Sequence, residues 1–315
     1  MAIKKMQKRL KITISGLLLL ILGTFSSCES DLHLQLKEGG GQLVLFAFPT
    51  ADSTLSLHLS RSVNHSSLDD FERIYDGYLA LYRNGARVDS FAWPYQETWA
   101  QRTGLPVREG DVWTIRGGDS KGQRISATTT IPQAVAIEGL DSIGRGSKNG
   151  DPFIQYELIF TDPPEIDNYY QLLIFGETRD SLNKLLHRQT LNYGKTDEVF
   201  YIRDQEGSLL GGIDFLGSFS DYLIQGQPHR LQIGIPSVYL SSPNPGEKLV
   251  IRFCLMSLSP DYYHYLRSRV VAEYNYDLPV VDPIKIYSNT TGGLGLVGGM
   301  SIASDSLVLI GSDYE

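Results

Sequence analysis

Cysteine is nearly absent: the 315 residues hold two, Cys28 and Cys254. No disulfide framework can stabilise this chain. Long apolar runs are also scarce. The one extended run, Ile12 to Phe25, is about 14 residues where a membrane-spanning helix needs roughly 20, so a transmembrane helix is not expected. Basic charge is short. Five of the 28 Lys and Arg precede Cys28 and none of the 36 acidic residues does, which leaves residues 28–315 a net charge of −13. So acidic a chain has no general attraction for nucleic acid. The six histidines (33, 58, 65, 187, 229 and 264) never stand at i, i+4 or His-x-His spacing, so no single element offers a metal two nitrogens. There is no Gly-x-Ser-x-Gly elbow. The run Gly292 to Gly299 contains no lysine and opens no helix, so it does not read as a phosphate loop and is expected to be a close backbone crossing. Neighbouring acids such as Asp69-Asp70 and Asp197-Glu198 read as solvated loops. A non-enzymatic protein with no cofactor and no metal is expected.

What is present begins with Lys4, Lys5, Lys8, Arg9 and Lys11 ahead of the apolar run, then Ser26-Ser27-Cys28. Basic, apolar and then small residues make an export signal. The expectation is a signal peptide over 1–27, a lipid on the Cys28 thiol, and a tether over 28–41 that ends in Gly39-Gly40-Gly41. Several acyl chains would hold the protein to the membrane, each buried methylene adding about 0.8 kcal/mol. Cys254 lies in an apolar strand pattern and reads as a buried, inert thiol.

Past the tether, apolar and polar residues alternate with period two. Leu43–Phe48, Leu55–Ser60, Tyr78–Tyr82, Val112–Arg116 and Ile125–Ile131 read as strands, with Asn84-Gly85 as a hairpin turn. Residues 42–133 are expected to form an immunoglobulin- or fibronectin-III-like β-sandwich closed by Ile131-Pro132. After a loose stretch from Gly144 to Asp151, strands are expected at Phe153–Phe160, Tyr169–Phe175, Val199–Ile202, Leu231–Ile235 and Leu249–Leu258. Near Ser259 the period changes. Ser259 can cap, Pro260 suits the first helical position and Asp261 the positive end, which predicts one helix from Pro260 to about Val271. The fold class is therefore all-β: two sandwich domains, the second spanning 134–315, larger and carrying one short helix.

Several phrases stand out: Thr129-Thr130-Ile131-Pro132, Thr161-Asp162-Pro163-Pro164, Asn168-Tyr169-Tyr170, Ser259-Pro260-Asp261-Tyr262-Tyr263, and Asp282-Pro283-Ile284-Lys285-Ile286-Tyr287-Ser288-Asn289 running into the glycine tail. With Ser26-Ser27-Cys28, which looks like a Bacteroidota lipobox, they resemble a Bacteroidota lipoprotein family known as a domain of unknown function. Its genes commonly lie beside those of TonB-dependent outer-membrane receptors. Glu29 and Asp31 resemble the signal that sends such lipoprotein chains to the cell surface. Asp-Ser-Thr, Asp-Ser-Ile and Asp-Ser-Leu triplets at Ser53, Ser142, Ser181 and Ser306 look like O-glycosylation sites of the same group. The resemblance implies a lipid-anchored outer-membrane protein facing the cell surface, accessory to a receptor barrel, helping to capture a ligand or to cover the barrel.

Aromatics supply the candidate contacts. Trp93, Tyr95 and Trp99 crowd one loop-like segment, and Tyr262, Tyr263 and Tyr265 one helix. Flat rings with a polar edge suit sugar or protein partners, and the same residues also suit core packing. The alternative to the accessory role is a surface adhesin or glycan-binding sandwich, whose ligand is a small molecule, glycan or peptide.

Overall fold

The computed structural model describes residues 40–64, 67–94, 96–164, 166–201, 214–240, 244–276 and 285–309. The expected signal peptide, Cys28, most of the tether and Tyr95 lie outside the described residues.

The first sandwich faces two four-stranded sheets. One has the order β16 (Leu294–Val297), β1 (Leu43–Ala47), β2 (Leu55–Arg61) and β5 (Ala100–Arg102); the other has β4 (Ala86–Ala92), β3 (Tyr78–Arg83), β6 (Val112–Gly118) and β7 (Arg124–Thr130). Alternation sets the core. Leu43, Leu45 and Ala47 of β1 and Leu55, Leu57 and Leu59 of β2 point inward onto Leu79, Leu81, Trp113 and Ile115. Asn84 and Gly85 both have positive φ, 52° and 81°, as the two-residue turn between β3 and β4 requires.

The second sandwich is larger. Its one sheet orders β12 (Gly194–Lys195), β14 (Pro228–Pro236), β9 (Asp151–Thr161) and β8 (Gly139–Lys148). The other orders β11 (Leu185–Thr190), β10 (Tyr169–Asp180), β15 (Glu247–Leu258) and β17 (Met300–Leu309), with β13 (Ser218–Ser220) also on β10. Tyr156, Phe160, Leu172, Ile174, Phe253 and Leu255 fill its core. The stretch read as loose, 144–151, is instead a hairpin of β8 and β9 about Asn149-Gly150, both at positive φ. Polar, glycine-containing β8 is mostly exposed, so it shows no apolar alternation. Val199–Ile202, expected as a strand, holds a 3-10 turn over Glu198–Phe200, capped by the Asp197 carboxylate accepting from the Val199 N–H.

The single α-helix among the described residues, α1 (Pro260–Tyr276), runs five residues beyond the expected Val271. Ala272 and Glu273 favour helix, and Arg269 pairs with Glu273 one turn on.

The tail ties the sandwiches together. Residues 294–297, which belong by sequence to the second unit, add β16 to the first sheet, parallel to β1. β17 then pairs with β15 of the second. A Cβ on Gly293 or Gly295 would collide with the carbonyl oxygen of Leu43 or Leu45, and one on Gly299 would stand 2.5 Å from that of Thr130. The glycine run is a close passage of backbone past backbone.

Candidate functional site

The outer face of the first sheet carries three of the aromatic groups singled out from the sequence, Trp99, Tyr262 and Tyr265. Alternation that sends Leu45 and Ala47 inward sends Phe46 outward, with Phe48 following at the strand end. On β2 the outward residue opposite Phe46 is His58. Trp99 immediately precedes β5, whose Ala100 pairs with Leu57, and this register brings the indole to 5.3 Å from the His58 ring and 6.2 Å from Phe48. Phe71 closes on His58 edge-on at 5.1 Å.

Helix α1 meets this face. Ser259 Oγ caps it, accepting from the Tyr262 N–H at 3.4 Å, and also accepts from the Gly299 N–H at 3.1 Å. The cap thereby fixes the helix to the returning tail. Tyr262 and Tyr265, one turn apart, reach Phe48 at 5.2 Å and Phe46 at 6.0 Å. Tyr263 and Leu266 pack onto Met256 and Leu258 of β15, and Tyr262 touches that cluster as well. The helix thus packs on both sandwiches, with Tyr262 touching each. Gly298 leaves the space that the Tyr262 ring fills.

The structure therefore joins part of each sequence cluster into one band: Phe71, His58, Trp99, Phe48, Tyr262, with Phe46 and Tyr265 beside it. Trp99 is 40% exposed, whereas Trp93 is 4% exposed within the first core and Tyr263 is 2% exposed, stacked at 4.5 Å on Tyr169. Trp93 and Tyr263 are core residues and offer no contact surface. Sequence reading missed Phe46, Phe48 and His58. Their signal was the outward phase of the same alternation that revealed the leucines.

His58 and Ser60 form the hydrogen bond of a base and a nucleophile, Nε2 to Oγ at 2.8 Å. The third position is held by the Thr98 carbonyl, 2.6 Å from Nδ1, where a triad has a carboxylate. Ser60 is 1% exposed, so no acyl group can reach it. Burial lowers the His58 pKa, against the Thr98 carbonyl, which raises it. Through its bond to the Thr98 carbonyl the imidazole holds the Trp99 loop to β2.

Two acids at and beside the Thr161–Pro164 and Asn168–Tyr170 phrases are fasteners. Asp162, fully buried, accepts from the Tyr170 hydroxyl at 2.5 Å and the Gly226 N–H at 2.8 Å. Asp221 accepts from the Asn168 N–H at 2.7 Å, and burial raises its carboxyl, as do the Asp162 and Asp167 charges. Asn289 clamps the tail, accepting from the Val297 N–H at 3.0 Å and donating to the Val297 carbonyl at 2.9 Å.

One pocket of about 170 Å³ lies between Tyr193, Lys195, Phe200, Tyr201, Asp214 and Phe215, small beside the roughly 300–1,000 Å³ of typical ligand sites. Lys195 is committed there to Asp214 at 2.6 Å. Among the described residues no three His, Cys, Asp or Glu are grouped to hold a metal, and no helix is long and apolar enough to cross a membrane. Cys254 is 8% exposed, and burial raises its thiol pKa.

Comparison with known proteins places the chain in a family without assigning it a reaction. No curated protein is significantly similar to it. Among solved structures, a β-glucuronidase from glycoside hydrolase family 2 matches 68% of this chain and 19% of its own length, at 10% identity and a TM-score of 0.22. The chain thus spans about a fifth of that enzyme, and the likeness carries no argument about activity. Residues 29–306 match one family, and the protein belongs to that family, the domain of unknown function DUF4249.

Proposed function

We propose that the protein is a non-enzymatic lipoprotein of the outer-membrane surface, anchored through Cys28, that docks on a TonB-dependent receptor barrel and helps it capture a ligand or covers its mouth. The anchoring rests on the basic, apolar and Ser-Ser-Cys order over residues 4–28. The association with a receptor rests on the resemblance of the sequence phrases to Bacteroidota lipoproteins encoded beside such barrels.

The observation that carries the binding role is Trp99, 40% exposed yet held between His58 and Phe48. A large ring already fixed in place loses little freedom on binding, and such residues dominate interface energies. Tethering supplies the rest. Two proteins confined to one membrane meet at high effective concentration, so a weak docking surface is productive. The test is recovery from native membranes in mild detergent after brief cross-linking. The wild-type protein brings down a large barrel and the Trp99→Ala protein brings down less of it; repeated recovery without any barrel would overturn the reading.

The second reading, a glycan-binding surface protein, is favoured by the same indole, whose neighbour Phe48 also contacts Tyr262. Binding to a glycan array, lost in Trp99→Ala and needing no barrel, would establish it instead.

A further inference from the structure

β11 is the edge of its sheet, and all six of its residues, Leu185 to Thr190, are exposed. Among the described residues no strand pairs with its outer side. The phase of its hydrogen bonds is set by the Leu191 N–H, which donates to Ile174 at 2.8 Å. Antiparallel pairs alternate between bonded and unbonded positions. Gln189 and His187 therefore turn their backbone groups toward β10, and Arg188 and Thr190 turn theirs outward.

The side chain of Arg188 is surplus to its own sheet. Glu177, directly opposite on β10, is 1% exposed and needs a cation. It has three: Arg179 at 2.6 Å, Arg252 at 3.0 Å and Arg188 at 2.7 Å. Arg179 and Arg252 have the more covered side chains, 19% and 28% exposed, and that of Arg188 is 46% exposed. Lys248, opposite Arg179 on β15, adds a fourth cation to this face. Three cations thus contact one carboxylate and a fourth shares its face, on a chain whose net charge is −8.

Edges are commonly protected by a charge aimed into the neighbour's path or by a bulge. Arg188 does not protect this one, because its guanidinium lies back over the Phe175 ring, 4.6 Å from the centroid, and onto Glu177. The one bulge, between Thr178 and Arg179, distorts the hairpin tip and leaves 187–190 in regular register.

We propose that the β11 edge takes an extended acidic segment of a partner protein as an added strand. The partner's backbone pairs with the outward groups of Arg188 and Thr190, and a carboxylate on its outer face takes the surplus Arg188 guanidinium. Strand addition draws affinity from backbone bonds and selectivity from alternate side chains. A second copy of this chain is a poorer occupant, since pairing β11 with β11 would bring two Arg188 side chains together. The proposal goes beyond the aromatic band and uses a different surface, so Trp99→Ala leaves it unchanged and the two can fail separately.

The test uses the protein carrying residues 28–315 and a fluorescent peptide, Thr-Glu-Val-Glu-Thr-Glu-Val, followed by anisotropy. The expected result is saturable binding that weakens with added salt and is absent for the Lys-for-Glu peptide. Arg188→Glu and Thr190→Pro are each expected to weaken it at least tenfold. Thr190→Pro removes an outward N–H and no bond to β10. Hydrogen exchange on the unaltered protein gives a readout free of any folding defect, with the Arg188 and Thr190 amides becoming protected on adding peptide. Equal binding of the Lys peptide, no protection at those amides, or sedimentation as a dimer closed through β11 would overturn the proposal.

Discussion

Gly295 of the returning tail lies so close to Leu45 of the first strand that a Cβ on the glycine would collide with the leucine carbonyl oxygen, and its φ of +117° is one that side chains rarely adopt. Both penalties fall on one substitution. Gly295→Ala is expected to cost about 3 kcal/mol or more, from backbone strain and overpacking together. Urea unfolding of the 28–315 protein measures it, and a loss under about 0.5 kcal/mol would mean that β16 does not pass β1 this closely.

Ser259 sits at the same junction from the other side. Its Oγ serves the Tyr262 amide and shares the Gly299 amide with the Thr129 hydroxyl, so Ser259→Ala removes a helix cap and leaves Gly299 its Thr129 partner. A loss of about 1 kcal/mol, that of a helix cap, is expected. It is read from the same unfolding curves.

The two tryptophans of the sequence cluster part company. Trp93→Ala empties a core site and is expected to cost roughly 3–5 kcal/mol. Trp99→Ala is expected to cost under about 1 kcal/mol while weakening partner binding. Lost binding in the Trp93 variant alone would therefore report on folding. The check is a pair of thermal melts beside the pull-down.

Glu177 gives the fold an acid limit. Burial by itself would raise its carboxyl, but the hydrogen bonds and charges of Arg252 and Arg179 outweigh burial and hold it at about 2. The unfolded chain titrates near 4.5, so the stabilisation is complete above that pH. It is lost as pH falls from 4.5 toward 2, and amounts to roughly 3 kcal/mol. Glu177→Gln should remove that part of the pH dependence and leave a less stable protein at pH 7. An unchanged slope between pH 4.5 and 2 would contradict the ion cluster.

Much of the architecture could be read from period-two alternation. Leu55, Leu57 and Leu59 pointed to β2, and Asn84-Gly85 to the first hairpin. β8 and β11 escaped because they are exposed on both faces, and an exposed strand has no apolar phase to display. The signal that remained for β8 was Asn149-Gly150. Val199 and Phe200 look like strand residues, yet they are buried through a 3-10 turn that Asp197 caps, a case of tertiary burial overriding local propensity. The candidate site was half legible. Trp99, Tyr262 and Tyr265 could be named from their chemistry. Their meeting through Phe46 and Phe48 could not, because it depends on the tail's return to the first sheet, a contact between ends of the chain that no local pattern encodes.

The anchor at Cys28 is the claim on which the proposed function depends most heavily. Feeding native cells an alkyne-tagged fatty acid and isolating the protein tests it directly. The account predicts a tagged wild-type protein in the membrane fraction and an untagged Cys28→Ala protein. An untagged wild-type protein, or one recovered with residues 1–27 still attached, would contradict it.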